Sequence, residues 1–485
     1  MTSIITGQAI SSRRDVAADS LRRLPALVVA ALSCYLAPRA LVGADTMWMV
    51  ALGERVATTG SVPDGVPFAA AATSGWPNVP ALGELLMYAV HSLSPLGLAA
   101  ALLGLTAATL LLLGRGALRA GAHPAAAAGA VAVVGAGLLP TFGVVRGQML
   151  SLLPYALLVL LLRAETGRPT KRIWLAVPLV AVWGNLHGGV LVGVALIGCY
   201  LMLSRLRATP LTAVLVGIAT LLSVWANPAL VRTGHYYLGV LSNEAARRGT
   251  ELWAKPNLGS TFDLLMVLAG LVLGAAALFK GRLRIWELCA ALGMAAATIT
   301  SARHGMWLLL FIVGPGAIGL SRLSSGAPHP PPRVTPDAPP IEGTPAGAGS
   351  ARMRLLIRGL TLGLAGIAMF TMAGRASALA GPVDAVHTIS SLAGDRVVLA
   401  PEPLAEDLAA EGVTVWVSNP IDAFRPEDQA AYLDVWLGRE GGRRAIAASD
   451  VVVATPGSPA HRLAVSAGCS EATAAAEFSV LECRR

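Results

Sequence analysis

The feature that most limits the fold is a series of long apolar runs that occupies most of the chain up to about residue 377. A helix crosses the apolar core of a bilayer with about 20 such residues. The runs are continuous rather than alternating, which argues against a membrane β-barrel. We therefore predict a helical protein with eleven membrane spans, at 24–44, 93–113, 121–142, 148–163, 172–186, 188–204, 210–226, 262–279, 285–301, 304–321 and 355–377. The fifth and sixth could instead be one bent helix or a re-entrant pair.

The composition agrees with a chain that is largely solvated by lipid. Hydrophobic residues make up 55% of the 485 residues and charged residues only 13%, whereas soluble domains carry about 25% charged residues. Intrinsic disorder is excluded for most of the chain, because it needs low hydrophobicity and high charge. The net charge of +9 comes with no basic stripe interleaved with aromatic residues, so no nucleic-acid partner is expected.

The basic residues predict how the chain is oriented in the membrane. Cytoplasmic loops of membrane proteins carry an excess of Lys and Arg. In an eleven-span chain, one side collects Arg13, Arg14, Arg22 and Arg23, then Arg115 and Arg119, then Arg163, Arg168, Lys171 and Arg172, then Arg205 and Arg207, then Lys280, Arg282 and Arg284, and finally Arg322, Arg333, Arg352, Arg354 and Arg358. We assign that side to the cytoplasm and interpret the first run as an uncleaved span, with a cleaved signal peptide as the alternative.

The remaining sequence predicts five regions. Residues 1–23 form a cytoplasmic segment, 24–321 a transmembrane bundle with an outer loop at 45–92, 322–353 a cytoplasmic linker rich in Pro, Gly and Ala, and 354–378 the last transmembrane helix. Residues 379–485 alternate short apolar runs with helix-like segments, which predicts a small extracytoplasmic α/β domain with a largely parallel sheet. No G-x-G-x-x-G follows its predicted strands, so no nucleotide cofactor is implied.

Two of the five cysteines fall in this exported domain. Cys469 and Cys483 would meet an oxidising compartment, where disulfides persist. A disulfide between them is one expectation, and two unpaired thiols are the other. The remaining cysteines lie in predicted spans, and no Cys/His spacing resembles a zinc site.

Polar side chains that suit chemistry gather in the predicted outer turns. Because five different turns contribute, a compact bundle would bring them to one face. The candidates are Asp45, Glu84, Arg146, Asn185, His187, Arg303 and His304.

Four segments resemble a largely uncharacterised group of bacterial polytopic membrane proteins with GT-C glycosyltransferase architecture. They are GADTMWMVALGERVATTGSVPDGVPFAAAATSGWPNVPALGELLMYAV (43–90), RGQMLSLLPYALLVLLL (146–162), WGNLHGGVLVGVALIG (183–198) and SARHGMWLLLFIVGP (301–315). The chain departs from the group at three places. No His follows Asp45 within Thr46–Met49, no His-Glu-Trp occurs within Asn78–Gly83, and Gly147 stands where the group has Pro.

The resemblance implies roles for the candidate residues. Asp45 would be the base that deprotonates an acceptor hydroxyl, or would hold a divalent metal; the alternative is a solvated Asp at a helix end. Arg146, His187, Arg303 and His304 would neutralise a lipid phosphate, with Asn185 and Glu84 as further binding residues. The alternatives are arginines at lipid headgroups, structural histidines, glycines that serve helix packing around His187, and Glu84 as a helix N-terminal charge.

The resulting hypothesis is a multi-pass protein of the bacterial inner membrane that transfers a sugar from a polyprenyl-phosphate donor to an extracytoplasmic glycan, lipid or protein acceptor. A lipid or polysaccharide transporter is the first alternative, although no internal repeat is visible. The second is a non-catalytic membrane scaffold of the same architecture, which the missing His and Glu favour.

Overall fold

The computed structural model describes residues 21–43, 45–73, 75–94, 96–250, 253–325, 348–379 and 382–483. Its first part is a bundle of helices, as the apolar runs predict. The helices are α1 Leu24–Leu36, α2 Met47–Thr59, α3 Ala81–Leu93, α4 Gly97–Arg119, α5 Pro124–Gly137, α6 Leu139–Gly143, α7 Leu152–Gly167, α8 Ala176–Leu186, α9 Val190–Tyr200, α10 Leu206–Ala208, α11 Pro210–Ser223, α12 Thr233–Ser242, α13 Glu244–Arg248, α14 Thr261–Lys280, α15 Ile285–Thr300, α16 Gly305–Ser325 and α17 Ala348–Ala373.

Every predicted span contains a helix, and the fifth and sixth are separate helices, α8 and α9. Within the described ranges, six helical segments are long and apolar enough to cross a membrane: Gly97–Arg119, Gly147–Gly167, Val190–Ala208, Thr261–Lys280, Ala302–Ser324 and Met353–Ala373. The other predicted spans lie on shorter apolar helices, so the total of eleven stays a prediction. The core of the bundle contains fully buried aromatic side chains, among them Tyr155, Trp183, Trp286 and Phe311.

The first outer loop is ordered by two helices and a short strand. Helices α2 and α3 cross closely at Gly53, where an added Cβ would lie 2.1 Å from the backbone oxygen of Glu84. Strand β1 (Leu41–Val42) precedes α2 and pairs in parallel with β2 (Val144–Val145), which lies between α6 and α7. This pairing connects the loop to the bundle.

The C-terminal region is the small α/β domain that the sequence predicts. Its helices are α18 Ala376–Leu379, α19 Val383–Ala393, α20 Leu404–Ala410, α21 Pro426–Trp436, α22 Arg443–Ala447 and α23 Pro459–Ser466. Its strands are β3 Val398–Leu399, β4 Val451–Ala454, β5 Ser470–Ala475 and β6 Phe478–Glu482, in the order β3-β4-β6-β5.

The prediction of a largely parallel sheet is met only in part, because the sheet is mixed. Strands β3 and β4 are parallel, while β4 with β6 and β5 with β6 are antiparallel. The β5–β6 pair is antiparallel because two residues join the strands, and so short a connection permits no parallel pair. The apolar run at 413–418 is irregular and forms single parallel bridges at Val415, to Val398 on one side and to Ala69 on the other.

That irregular segment attaches the C-terminal domain to the first outer loop. The Ala70 and Ala71 N–H groups donate to the backbone oxygens of Val415 and Trp416 at 2.8 and 3.0 Å. The Val415 N–H donates in return to the oxygen of Phe68 at 3.0 Å. The loop and the domain therefore lie at the same end of the bundle. Most of the predicted linker, at 326–347, falls outside the described residues.

Candidate functional site

Two short strands bring Asp45 and Arg146 together. Leu41 pairs with Val144 and Val42 with Val145, and the Gly43 N–H donates to the Val145 oxygen at 2.9 Å. The Thr46 hydroxyl donates to the same oxygen at 2.7 Å. Because Asp45 and Arg146 each follow one strand of a parallel pair, their side chains leave the sheet at the same end.

The Asp45 carboxylate and the Arg146 guanidinium face each other without a close hydrogen bond. Arg146 Nε lies 3.8 Å from Asp45 Oδ1, and the two side chains are 31% and 25% exposed. Both of these atoms are buried and have no hydrogen-bond partner in the described part of the chain. Desolvation raises the pKa of Asp45, while the charges of Arg146 and Arg303 lower it. The pair thus keeps hydrogen-bonding capacity for a ligand.

A cavity of about 260 Å³ lies on the Arg146 side of this pair, and Asp45 itself does not line it. Arg146, Gln148, Asp263 and Arg303 contribute polar groups, and the remaining lining is mainly apolar, from residues such as Leu138 and Met266. The Arg303 guanidinium lies 4.3 Å from the centre of the Trp253 ring, which fixes it by a cation–π contact. Two guanidinium groups beside a mainly apolar wall suit an anion attached to an apolar chain, with the Asp263 carboxylate as the one acidic group of the lining.

His187 is held as a neutral hydrogen-bond donor. Its Nδ1 accepts from the Gly189 N–H at 2.9 Å and lies 3.0 Å from the Ser151 hydroxyl. The indole N–H of Trp183 donates to that hydroxyl oxygen at 2.8 Å, which leaves the hydroxyl proton free to point at the ring. Burial and the charge of Arg303 lower the pKa of His187 to about 3. His187 is therefore neutral here and can donate through Nε2–H, and its role towards a lipid phosphate stays a prediction.

Two other candidates have local roles. The Asn185 amide donates to the backbone oxygens of Ala181 and Ala226 at 2.8 and 2.6 Å, so its donors are already used. Glu84 is fully buried and accepts from the Asn78 amide at 2.7 Å. Burial raises the pKa of Glu84 to about 8, so it carries a proton at neutral pH. Neither residue lines the cavity.

His304 lies next to Arg303 in the short helix Ala302–His304. Its Nδ1 is buried and has no hydrogen-bond partner among the described residues. It does not line the cavity.

Sequence reasoning missed Asp263, which lines the cavity from the first turn of α14. Its Oδ2 accepts from the Asn257 N–H at 2.8 Å. The available signal was a carboxylate at the outer end of an otherwise apolar run. Gln148, which follows Arg146 by two residues, also lines the cavity but was not among the chosen candidates.

A divalent metal finds little support in this arrangement. No group of three His, Cys, Asp or Glu side chains in the described ranges could hold an ion. The charged groups that act on Asp45 are Arg146 and Arg303, which would repel a cation. We therefore derive no chemical step through a metal.

No protein-family model matches this chain, and no curated protein sequence matches it. Among solved structures, it is similar to the crystal structure of ArnT from Cupriavidus metallidurans bound to undecaprenyl phosphate, with 16% identity over 94% of this chain and 96% of that chain and a TM-score of 0.49. It is also similar to the apo state of the same protein, with 16% identity over 99% and 98% and a TM-score of 0.45. ArnT is a GT-C glycosyltransferase.

Proposed function

We propose that this protein is a membrane glycosyltransferase that moves a sugar from a polyprenyl-phosphate donor to an acceptor at the outer face. The observation that carries the proposal is the Asp45–Arg146 pair beside a cavity that also receives Arg303. A potential base and two phosphate-binding groups thus meet where an apolar chain and a polar headgroup could both be accommodated.

In this proposal the two arginines hold the phosphate of the donor. Guanidinium groups bind phosphate oxygens through paired N–H donors, and both Arg146 and Arg303 line the cavity. Their charge also stabilises the phosphate when it leaves with an additional electron pair. A similar structure contains undecaprenyl phosphate, and the ligand proposed here belongs to the same chemical class.

Asp45 would act on the acceptor. Its carboxylate takes the proton of an acceptor hydroxyl while the hydroxyl oxygen forms a bond to the anomeric carbon. The bond between that carbon and the phosphate oxygen breaks, and its electron pair stays on the phosphate. The raised pKa of Asp45 makes it a stronger base than an exposed aspartate.

The non-catalytic scaffold is the less favoured reading. A protein that kept this architecture but catalysed no reaction would be expected to have a packed, apolar neighbourhood around Asp45. A charged pair, Asp45 with Arg146, next to a cavity that also receives Arg303 supports an enzyme instead, because a packed apolar neighbourhood is absent there.

The proposal is tested with purified protein in lipid vesicles and labelled polyprenyl-phosphate sugars. We expect wild-type protein to transfer the label and Asp45→Asn to lose at least about a hundredfold in rate, in line with the loss of a general base. Asp64→Asn is the matched control. Asp64 lies in the same outer loop and pairs with an arginine, Arg232, at 3.0 Å, but its side chain is 61% exposed, whereas that of Asp45 is 25% exposed and faces Arg146.

Asp64→Asn should keep wild-type transfer. Unchanged transfer by Asp45→Asn would show that Asp45 is not the base. Lipid translocation by the wild-type protein in the absence of covalent transfer would favour the transporter instead.

A further inference from the structure

We propose that α12 (Thr233–Ser242) is a membrane-surface helix, inserted into the outer leaflet beside the site and lying across the ends of the spans. The partner is the lipid of that leaflet. This inference rests on the fold alone and does not depend on the proposed reaction.

The two faces of the α12 segment differ in character. On one face, Thr233, Tyr236 and Tyr237 are buried against the protein. Leu238 and Leu241 are strongly exposed on the other face, at 67% and 60%, and Val231 is 87% exposed in the turn Leu230–Arg232 that leads into α12. A spacing of three residues places Leu238 and Leu241 on one side of the helix, and Val231 extends this apolar surface at its start. A water-facing helix would not be expected to present such a stripe.

Polar groups lie at the edges of this stripe. His235 and Ser242 are exposed next to it, and Arg232 on the far side pairs with Asp64 of the outer loop. An apolar face with polar groups at its margins is the pattern of a helix that lies in the plane of a membrane interface.

The stripe continues the lipid-facing surface of the helices on either side of it in the chain. Before α12, helix α11 exposes Ile218, Leu221 and Leu222 at 51–66%, and Trp225 follows at 41%. After α12, Phe262 begins the long apolar helix α14 and is 53% exposed. Trp is enriched at the level of lipid headgroups, so Trp225 marks the depth at which the chain turns into α12.

The buried face of α12 connects the bilayer to two other parts of the molecule. An added Cβ on Gly188, next to His187, would lie 3.6 Å from the Tyr236 hydroxyl. An added Cβ on Gly239 would lie 3.7 Å from the backbone oxygen of Asp422 in the C-terminal domain. The helix therefore lies between the lipid, the His187 turn and the C-terminal domain.

The experiment is spin labelling of the full-length protein in lipid bilayers. The free cysteines Cys34, Cys199 and Cys289 are replaced by alanine, and single cysteines are introduced as Val231→Cys, Leu238→Cys and Leu241→Cys. Collision rates are measured with oxygen, which concentrates in lipid, and with a nickel chelate, which stays in water. The parent protein, in which these three cysteines are alanine, still contains Cys469 and Cys483. Its signal after labelling measures any label that attaches to those two residues.

Two positions provide the reference values. Val465→Cys lies in the C-terminal domain and is a matched control, because Val465 is an apolar side chain with 50% exposure. Leu268→Cys lies in α14, is 46% exposed, and gives the value for a label in contact with lipid.

We expect the labels at Val231, Leu238 and Leu241 to show an oxygen-to-nickel ratio of collision rates several-fold above that of Val465→Cys. The ratio should be close to that of Leu268→Cys. Nickel access equal to that of Val465→Cys would place the stripe in water and overturn the inference. Exclusion of both reagents would mean that protein covers the stripe, either a second copy or another partner, and would also overturn it. Three independent positions keep the test decisive if one variant does not fold.

Discussion

Single charged residues in this protein differ in whether their hydrogen bonds are satisfied. Glu165 accepts from Arg205 Nη1 and from the Thr170 N–H at 2.8 Å each, and also from the Thr170 hydroxyl. Asp45 has one oxygen without a partner and an arginine only at 3.8 Å. Removing one partner of a closely bonded buried pair leaves a charge uncompensated, whereas the loosely paired Asp45 has less to lose from the removal of its arginine.

Removing the Arg205 guanidinium, which binds Glu165, should lower the free energy of unfolding. Arg205 and Glu165 have side chains 4% and 2% exposed, so Arg205→Ala leaves a buried carboxylate without its partner. We expect a loss of about 3–5 kcal/mol, measured as unfolding in detergent. Arg232→Ala, which breaks a pair 46% and 61% exposed, should cost at most about 1 kcal/mol. Equal losses in the two variants would contradict this account.

A single carboxyl in the C-terminal domain should make stability depend on pH. Desolvation raises the pKa of Asp422 to about 6, although the Trp76 indole N–H donates to its Oδ2 at 3.0 Å and lowers it. A raised folded pKa gives stability that is present below the unfolded pKa and lost as pH rises through about 6. The melting temperature should therefore fall between about pH 4 and pH 6 and level off above that. Asp422→Asn should reduce this fall, and an identical pH profile in the variant would refute the assignment.

Among the elements, the hairpin at the end of the chain is closed by its flanking cysteines. Cys469 precedes β5 and Cys483 follows β6, and the two are joined in a disulfide with their Cα atoms 4.2 Å apart. The hairpin carries the two antiparallel pairings of the sheet, so the covalent bond holds its open end. A loop of this size constrains the unfolded chain by roughly 3 kcal/mol in the chain-entropy model.

Thiol labelling of intact membranes tests the bond. We expect Cys469 and Cys483 to react with a thiol reagent only after reduction, while reduced protein melts at a lower temperature. Cys289, which is free and exposed, is the control for reagent that reaches apolar surfaces. Labelling of both residues before reduction would reject the disulfide.

At the scale of the whole molecule, polar contacts fall into two groups at opposite ends of the predicted spans. One group joins outer loops to each other and to the C-terminal domain, as in Arg248–Asp434 at 2.8 Å. The other joins turns predicted to be cytoplasmic, as in Arg163–Glu287 at 3.0 Å. This separation is what a multi-pass chain requires, because charged turns cannot remain in the lipid core.

Reporter fusions determine which end faces the cytoplasm. Because the basic clusters predict a cytoplasmic linker, a fusion after residue 340 should report the cytoplasm. A fusion at the C-terminus should report the exterior, since one predicted span lies between the two positions. If both fusions report the same side of the membrane, the prediction of eleven spans is wrong. A cytoplasmic signal from the C-terminus alone would reverse the proposed orientation.

The sequence by itself determined the properties that depend on local composition. Apolar runs predict the helices wherever about 20 such residues follow one another, and the run that ends at Asp45 placed that residue at an outer turn. The change of pattern after residue 379 identified the small α/β domain, and the two cysteines in it suggested a disulfide.

Only the tertiary structure decided which polar groups meet. Asp45 and Arg146 lie about a hundred residues apart and are joined by strands of two residues each, too short to leave an alternating pattern in the sequence. Asn185 and Glu84 look like Asp45 in the sequence, yet nearby backbone and amide groups engage them. Such contacts depend on register between distant segments, and register is set by how the whole chain packs.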